Sequence, residues 1–260
     1  MKYSKITTIR SAGSPYSACF DHVERAFSAA SNEPIVAFDT ENTTEDAIII
    51  GAHAIPEGKP LIRDCAIWNT EQIFEGSGWV TPHYLRLCRD NELWDYSAQN
   101  VEAWKELHGI EAKWVPLGWH ESMVEAWEPL PGGDVVMFGS INDRRREILK
   151  DSGVKMIFGE WGSDLQRRLA KTGAVVNVHY YDSSVFEIVR CSQLWANGMP
   201  VISEKSPGDP MWEQIMPDGT FLEREELAAA AKARAFPSGE DQKEAYRNIK
   251  LKQILISARS

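Results

Sequence analysis

Two stretches of the sequence carry side chains suited to an anionic ligand. The first, GSINDRRR at 139–146, places a Gly-Ser turn before three arginines. Free backbone N–H groups where such a turn enters a helix suit an anion, and Arg145 or Arg146 adds the charge a diphosphate would meet. Gly139, Ser140 and Asn142 complete that candidate set. The spacing is neither Gly-x-Gly-x-x-Gly nor a P-loop, and a plain strand-to-helix turn with surface arginines uses the same residues. The second stretch, 179–204, begins HYYDSS and continues through Glu187, Arg190, Gln193 and Asn197. Steps of three, three and four put these four on one face of a helix. His179, Ser184, Glu187 and Arg190 are its candidates. Glu187 and Arg190 can hold phosphate, ribose or sugar hydroxyls, or pair as ordinary surface partners. Ser184 and Glu187 also have the spacing of a capping box.

The elements that must position these residues are read from alternation. Short apolar runs (KITTIR, PIVAFDT, DAIIIGAH, CAIWNT, ELWDYS, AKWVPLG) alternate with helical stretches near 17–30, 82–90 and 98–108. The pattern breaks at Pro129, Pro131, Gly132 and Gly133, which reads as a linker. It resumes with DVVMFGS, VKMIFGE, AVVNVHYY and MPVISE, separated by helical stretches that end on Gly153, Gly173 and Gly198, the expected C-caps. Strands alternating with helices imply βαβ units and parallel sheets. The expected architecture is α/β, with two Rossmann-like lobes at 1–128 and 129–260, mostly parallel sheets and a cleft between them. The terminal helical stretches, 225–235 and 240–257, are candidates to cross back.

In open parallel sheets ligands bind beyond the C-terminal strand ends. The second-lobe exits GSINDRR, GEWGSD, HYYDSS and SEKSPGD therefore converge on one crevice. At the first-lobe exits, Asp39, Glu41, His53 and Glu71 could serve acid–base chemistry. His53 and Glu71 rank together as the base that deprotonates a hydroxyl, although a histidine at a strand end is commonly structural.

Composition narrows the classes. With 43% hydrophobic and 25% charged residues, the chain is an ordinary globular sequence. Four scattered cysteines form no Cys-x-x-Cys pair, so neither a zinc site nor a disulfide framework is expected. The first residues have no apolar core for a signal peptide, and no apolar run is long enough to span a membrane. The expected compartment is the cytoplasm. A net charge of −10 argues against broad nucleic-acid binding. Local basic clusters remain at 144–146, at 167–171 and along Lys243, Arg247 and Lys250. Ten tryptophans are mostly core residues, with some available to stack on a sugar or base.

Three segments taken in order, LWDYSAQNVEAWKELHGIEAKWVPLG, DVVMFGSINDRRREIL and VVNVHYYDSSVFEIVRCSQLWANGMPVISE, resemble the GT-B glycosyltransferases, most closely the small bacterial and phage-type members. The likeness runs from about Cys65 to Glu204. It implies a nucleotide-sugar donor, a UDP-sugar, on the C-terminal lobe and an acceptor on the N-terminal lobe. It also implies no cofactor and no metal. Gly139, Ser140, Asn142, Arg145 and Arg146 match the part that approaches the donor diphosphate. His179 and the DSS turn fall where sugar or phosphate lies. Arg190 matches the arginine of the family's R-x-x-E element, whose glutamate is Gln193 in this chain. The Glu-x7-Glu pair of many retaining members is therefore absent as such. WNTEQ and WDYSAQN resemble segments lining the cleft, which implies positioning roles for Glu71, Gln72 and Ser97. Phage-type members include enzymes that glycosylate hydroxymethylated pyrimidines in DNA. Glycan, protein and small-molecule acceptors are alternatives, as are a nucleotide-sugar epimerase and a non-catalytic nucleotide-binding module.

Overall fold

The computed structural model describes residues 3–9, 15–38, 45–57 and 62–259, so the candidates Asp39 and Glu41 lie outside the described residues. The chain divides into two compact units, Met1–Ser122 with Lys250–Ser260, and Met123–Ile249. The Pro129–Gly133 break expected as the linker packs inside the second unit. There the Leu130 N–H donates to Thr172 O at 2.9 Å.

The first unit runs β1 (Lys5–Thr8), α1 (Asp21–Ser31), β2 (Ala47–Ile50), β3 (Ala66–Asn69), α2 (Pro82–Asp90), β4 (Glu92–Asp95), α3 (Ala98–His108) and β5 (Lys113–Trp114). All five strands are parallel and lie in sequence order. The described part of the PIVAFDT run, residues 34–38, makes a parallel bridge, Ile35 to Ile6, on the flank of β1 away from β2. That bridge carries two hydrogen bonds, Ile6 N–H to Pro34 O and Val36 N–H to Ile6 O, each 2.9 Å. The chain thus leaves β1 to one side, then returns to its other side as β2. Ile49, Ile67, Leu93, Tyr84, Leu87 and Trp104 fill the core against α2 and α3. On the opposite face Phe27 of α1 packs on Trp68, with ring centroids 5.2 Å apart. Local chemistry sets the helix ends. Thr81 and Ser97 cap α2 and α3 by accepting from Tyr84 N and Asn100 N, and α3 stops where Gly109 turns to φ 63°.

The second unit runs β6 (Asp134–Phe138), α4 (Asp143–Ile148), β7 (Lys155–Ile157), α5 (Gly162–Leu169), β8 (Thr172–Asn177), α6 (Ile188–Ala196), β9 (Val201–Glu204), α7 (Pro210–Ile215), β10 (Phe221–Leu222), α8 (Arg224–Ala233) and α9 (Gly239–Arg247). Its parallel sheet has the order β10-β9-β8-β6-β7, so the winding reverses between β6 and β8. Gly173 is not a C-cap: α5 has already ended, and Gly173 lies in β8 against Gly133, where an added Cβ would meet Gly133 O at 2.8 Å. The single terminal helix expected at 240–257 is two. Its second part, α10 (Leu251–Arg259), packs on α1 in the first unit. No helix among the described residues is long and apolar enough to cross a membrane.

Candidate functional site

The strand order reverses between β6 and β8, and beyond the C-terminal strand ends at such a reversal is where an open α/β sheet binds its ligand. Both strand exits deliver polar side chains to that point. Asn177, the last residue of β8, is fully buried. Its Nδ2 donates to Glu187 Oε2 and to Ser203 Oγ, both at 3.0 Å, and its Oδ1 accepts from Arg190 Nη1 at 2.6 Å. Arg190 lies over the Phe138 ring, 5.5 Å from its centroid. Gly139, at φ 106°, leaves room for it: an added Cβ would come within 3.0 Å of Arg190 Nη2. No carboxylate pairs with Arg190 among the described residues.

The neighbouring charges are matched more closely. Arg145 is only 1% exposed. Its Nε donates to Val178 O at 2.9 Å, Nη1 to Ser140 O at 2.5 Å and Nη2 to Glu187 Oε1 at 3.4 Å. Its guanidinium also lies over the Tyr180 ring. Burial and the Arg190 charge bring Arg145 down to about 9, so it stays charged at neutral pH. Arg144 grips Glu204 with two nitrogens, at 2.5 and 2.9 Å, and reaches Asp182 at 2.8 Å. His179 is fully buried, with Nδ1 2.7 Å from Glu187 Oε2 and Nε2 3.0 Å from Lys205 O. The Glu187 carboxylate only accepts, so Nδ1 carries a proton toward it, while Nε2 lies within reach of both the Lys205 carbonyl and, at 3.1 Å, Ser206 Oγ. Burial alone would lower its pKa, but Glu187 and Glu204 raise it. Burial pushes Glu187 up, yet His179, Arg190 and Arg145 hold it at about 2. Arg144 is paired with Glu204 and Asp182, and Glu187 is shared by Arg145 and His179. Arg190 is the arginine of the cluster that makes no ion pair among the described residues.

The structure sorts the expected second-unit residues. Gly139, Arg145, His179, Glu187 and Arg190 come together. Ser140 joins them through its carbonyl, and Asn142 through its side chain, which caps α4 at Arg145 N and donates to Tyr180 O at 2.8 Å. Arg146 does not join: it is exposed and pairs with Asp143 at 2.9 Å. Ser184 makes no capping box. It takes φ 54°, and α6 begins only at Ile188 because the Glu187 carboxylate is drawn to His179 and Asn177. Asn197 leaves the expected polar line to brace the 123–125 segment, accepting from Glu125 N at 2.7 Å and donating to Met123 O at 3.2 Å. Arg144, Asn177 and Glu204 were missed as candidates. Their signal was a polar residue ending each apolar strand and a third arginine beside the two chosen.

In the first unit the structure brings His53 and Glu71 together. His53 Nε2 is 3.1 Å from Glu71 Oε1, and Nδ1 is 3.1 Å from Thr70 Oγ1. Burial lowers His53 to about 4 and raises Glu71 to about 8. The pair is therefore neutral at pH 7, the Glu71 proton shared toward His53. Glu71 is fixed through its backbone: Asn69 Nδ2 and Asn100 Nδ2 donate to its carbonyl at 2.7 and 2.9 Å, and its N–H donates to Asn69 Oδ1 at 3.1 Å. Both asparagines are tied to Asp95, which is buried and also accepts from Trp104 Nε1 at 2.8 Å. Ser97 supports this network as the cap of α3, and Gln72 supports the following loop, its carbonyl accepting from Ser77 Oγ at 3.2 Å.

No protein-family model matches the chain. An uncharacterized protein of Acanthamoeba polyphaga mimivirus, L138, is 38% identical over 85 residues, which is 30% of this chain but 10% of the relative. The match thus spans a small part of that relative's length. Solved structures match almost throughout. AviGT4, a glycosyltransferase involved in avilamycin A biosynthesis, superposes with a TM-score of 0.60 at 11% identity over 98% of this chain and 96% of its own. T4 phage BGT in complex with UDP and Mn2+ gives 0.54 at 13%, over 98% and 95%. The DNA modifying enzyme beta-glucosyltransferase, solved with and without uridine diphosphoglucose, gives 0.52 at 12%, over 98% and 95%. The fold is that of the GT-B glycosyltransferases.

Within this GT-B fold most of the basic residues noted in the sequence have partners. Arg144 and Arg146 are paired as described. Arg167 pairs with Asp164, and Arg168 with Glu160 at 2.8 Å. Lys243 pairs with Glu240 at 3.8 Å, Arg247 with Glu244 at 3.6 Å, and Lys250 lies over the Trp119 ring. None is a bare cationic stripe. Arg190, at the place of the R-x-x-E arginine, is inside the strand-exit cluster, while Gln193 is one turn on and half-buried.

Proposed function

We propose that the chain is a glycosyltransferase that moves a sugar from a UDP-sugar donor to an acceptor hydroxyl. The observation that carries the reading is Arg190, a cation without a carboxylate partner among the described residues, fixed by Asn177 at the strand-order reversal of the second sheet. Such a charge, held rigidly and partly out of water, suits the diphosphate of the donor and the negative charge that grows on it as the sugar leaves. The uridine nucleotides named with T4 phage BGT and with beta-glucosyltransferase support UDP as the carrier. We read the reaction as needing neither cofactor nor metal, because a fixed arginine can neutralise the leaving group. The free cysteines suit the reducing cytoplasm.

The chemistry then runs as follows. The acceptor oxygen forms a bond to the anomeric carbon. The bond from that carbon to the phosphate oxygen breaks, and its electron pair leaves with UDP. The hydroxyl proton goes to the Glu71 carboxylate, which His53 orients. Only the ionised carboxylate can accept it, so turnover rises with pH and levels off above about 8, the Glu71 value. The Glu71→Gln variant is expected to lose that rise and to be slower by about 10²–10⁴-fold. A wild-type rate independent of pH between 6 and 9 would remove Glu71 from the role.

The donor reading is tested by thermal shift in EDTA with UDP, UDP-glucose and the other nucleoside diphosphates. A nucleotide at about 100 times its Kd adds about 2.7 kcal/mol of stability. Stabilisation by uridine nucleotides alone is expected; no shift with any nucleotide refutes the reading. Hydroxymethylated pyrimidine in DNA is the first acceptor to try, since a DNA modifying enzyme shares the fold. The pairing of each basic cluster with acids, and the net charge of −10, favour a second reading with a glycan, protein or small-molecule acceptor. An epimerised nucleotide sugar formed without acceptor would mark an epimerase, and binding without turnover a non-catalytic module.

A further inference from the structure

The loop that follows Glu71 contains a second feature beside the His53–Glu71 pair. Trp79 is 48% exposed, whereas Trp68, Trp94, Trp104 and Trp195 are fully buried. Its ring stands edge-on to His53, with centroids 5.4 Å apart and planes at 79°. His53 also contacts the buried Tyr84 ring edge-on, at 6.2 Å. The imidazole is therefore wedged between a core aromatic and an exposed one.

The loop that presents Trp79 is built rather than slack. The Ile73 N–H donates to Asn100 Oδ1 at 3.0 Å, so the asparagine that fixes Glu71 also fixes the loop's start. Ser77 N–H donates to Phe74 O at 3.1 Å and Val80 N–H to Ser77 O at 3.2 Å. The far end runs straight into the Thr81 cap of α2. An indole that is half exposed on a fixed loop loses little freedom when something covers its exposed part. It stands beside His53, whose other neighbour is the carboxyl proposed to accept the proton.

We infer that Trp79 is the platform on which the acceptor stacks, so that the acceptor hydroxyl is carried on a ring with an apolar face. The inference rests on the acceptor-side role proposed for Glu71 and narrows it to a substrate class. Both a nucleobase and a pyranose offer such a face. An open-chain polyol does not. A ring stacked on the indole lies beside His53, the partner of Glu71. Trp79 touches the acceptor without taking part in proton transfer, so its loss should act on acceptor affinity rather than on donor binding.

The test uses the full chain with 15N-labelled indoles. The Trp79 signal is the one missing from Trp79→Phe. It is followed while 5-hydroxymethyl-2′-deoxycytidine, methyl β-D-glucopyranoside or glycerol is added, with and without saturating UDP. One ring compound is expected to shift the signal saturably while glycerol leaves it in place, and which ring does so identifies the source. Trp79→Ala should weaken that compound by about tenfold, the scale of one stacking contact. Trp79→Phe, which keeps an aromatic face, should weaken it by only about threefold. Failure of both ring compounds to move the signal overturns the inference, as does an equal response to glycerol or unchanged affinity in Trp79→Ala. UDP-induced thermal shift is measured in parallel. Its absence in wild type would count against the donor reading, while the titration without UDP still decides the role of Trp79.

Discussion

Arg190→Ala is expected to abolish stabilisation by UDP and to lower turnover by about 10²–10³-fold, the usual effect of deleting one preorganised charge at a leaving group. The free chain should melt close to wild type. Among the described residues Arg190 makes one side-chain hydrogen bond, to Asn177 Oδ1, and Asn177 keeps its bonds to Glu187 and Ser203 when the arginine is gone. Glu187, which Arg190 helps to keep ionised, retains its closer partners His179 and Arg145. Arg190→Lys should recover part of the binding, because a point charge can meet phosphate without the planar fork. Thermal shift with UDP separates the outcomes. Full UDP stabilisation in Arg190→Ala would show that the arginine at the strand reversal is not the donor contact.

Arg145→Ala should behave in the opposite way, losing the fold's stability before any question of binding arises. Arg145 is buried, and its three nitrogens serve Val178 O, Ser140 O and Glu187. Deleting it strands two carbonyls and weakens the neutralisation of a buried carboxylate. Breaking a buried pair in this manner costs about 3–5 kcal/mol. Urea unfolding should show the loss, and Arg145→Lys should not repair it, since one ammonium cannot reach three acceptors arranged for a fork. If Arg145→Ala unfolded at the wild-type urea midpoint but failed to bind UDP, the roles assigned to the two arginines would have to be exchanged.

That contrast marks what the sequence could and could not convey. Alternation of apolar runs with Gly-terminated helical stretches was enough for two parallel α/β units, and α2 and α3 lie where their caps place them. Strand exits rich in Gly, Ser, Asp and Arg also pointed to the right end of the second sheet. What spacing could not convey was burial. His179 and Arg190 look equally available in the sequence, yet one is sealed inside with both nitrogens used and the other makes no ion pair among the described residues. The start of α6 was misread for a related reason. Ser184 and Glu187 fit a capping box, but a carboxylate with a buried imidazole N–H in reach goes to the stronger partner. Gly173 fits a helix C-cap by type, and only the approach of Gly133 from a stretch forty residues earlier shows why a side chain is excluded there. The contact between His53 and Glu71 spans two strands and a loop, so no local pattern announced it.

Gly139 has a consequence for descent. Its φ of 106° and the 3.0 Å approach of Arg190 mean that the arginine lies where a side chain at 139 would have to go. A lineage that acquires any larger residue at 139 displaces the guanidinium without altering it. A lineage that loses the arginine frees 139 of its steric burden, though not of its backbone angle. The two positions, fifty-one residues apart in the chain, are therefore coupled in one direction: a side chain at 139 disturbs Arg190, while loss of Arg190 leaves glycine still favoured at 139.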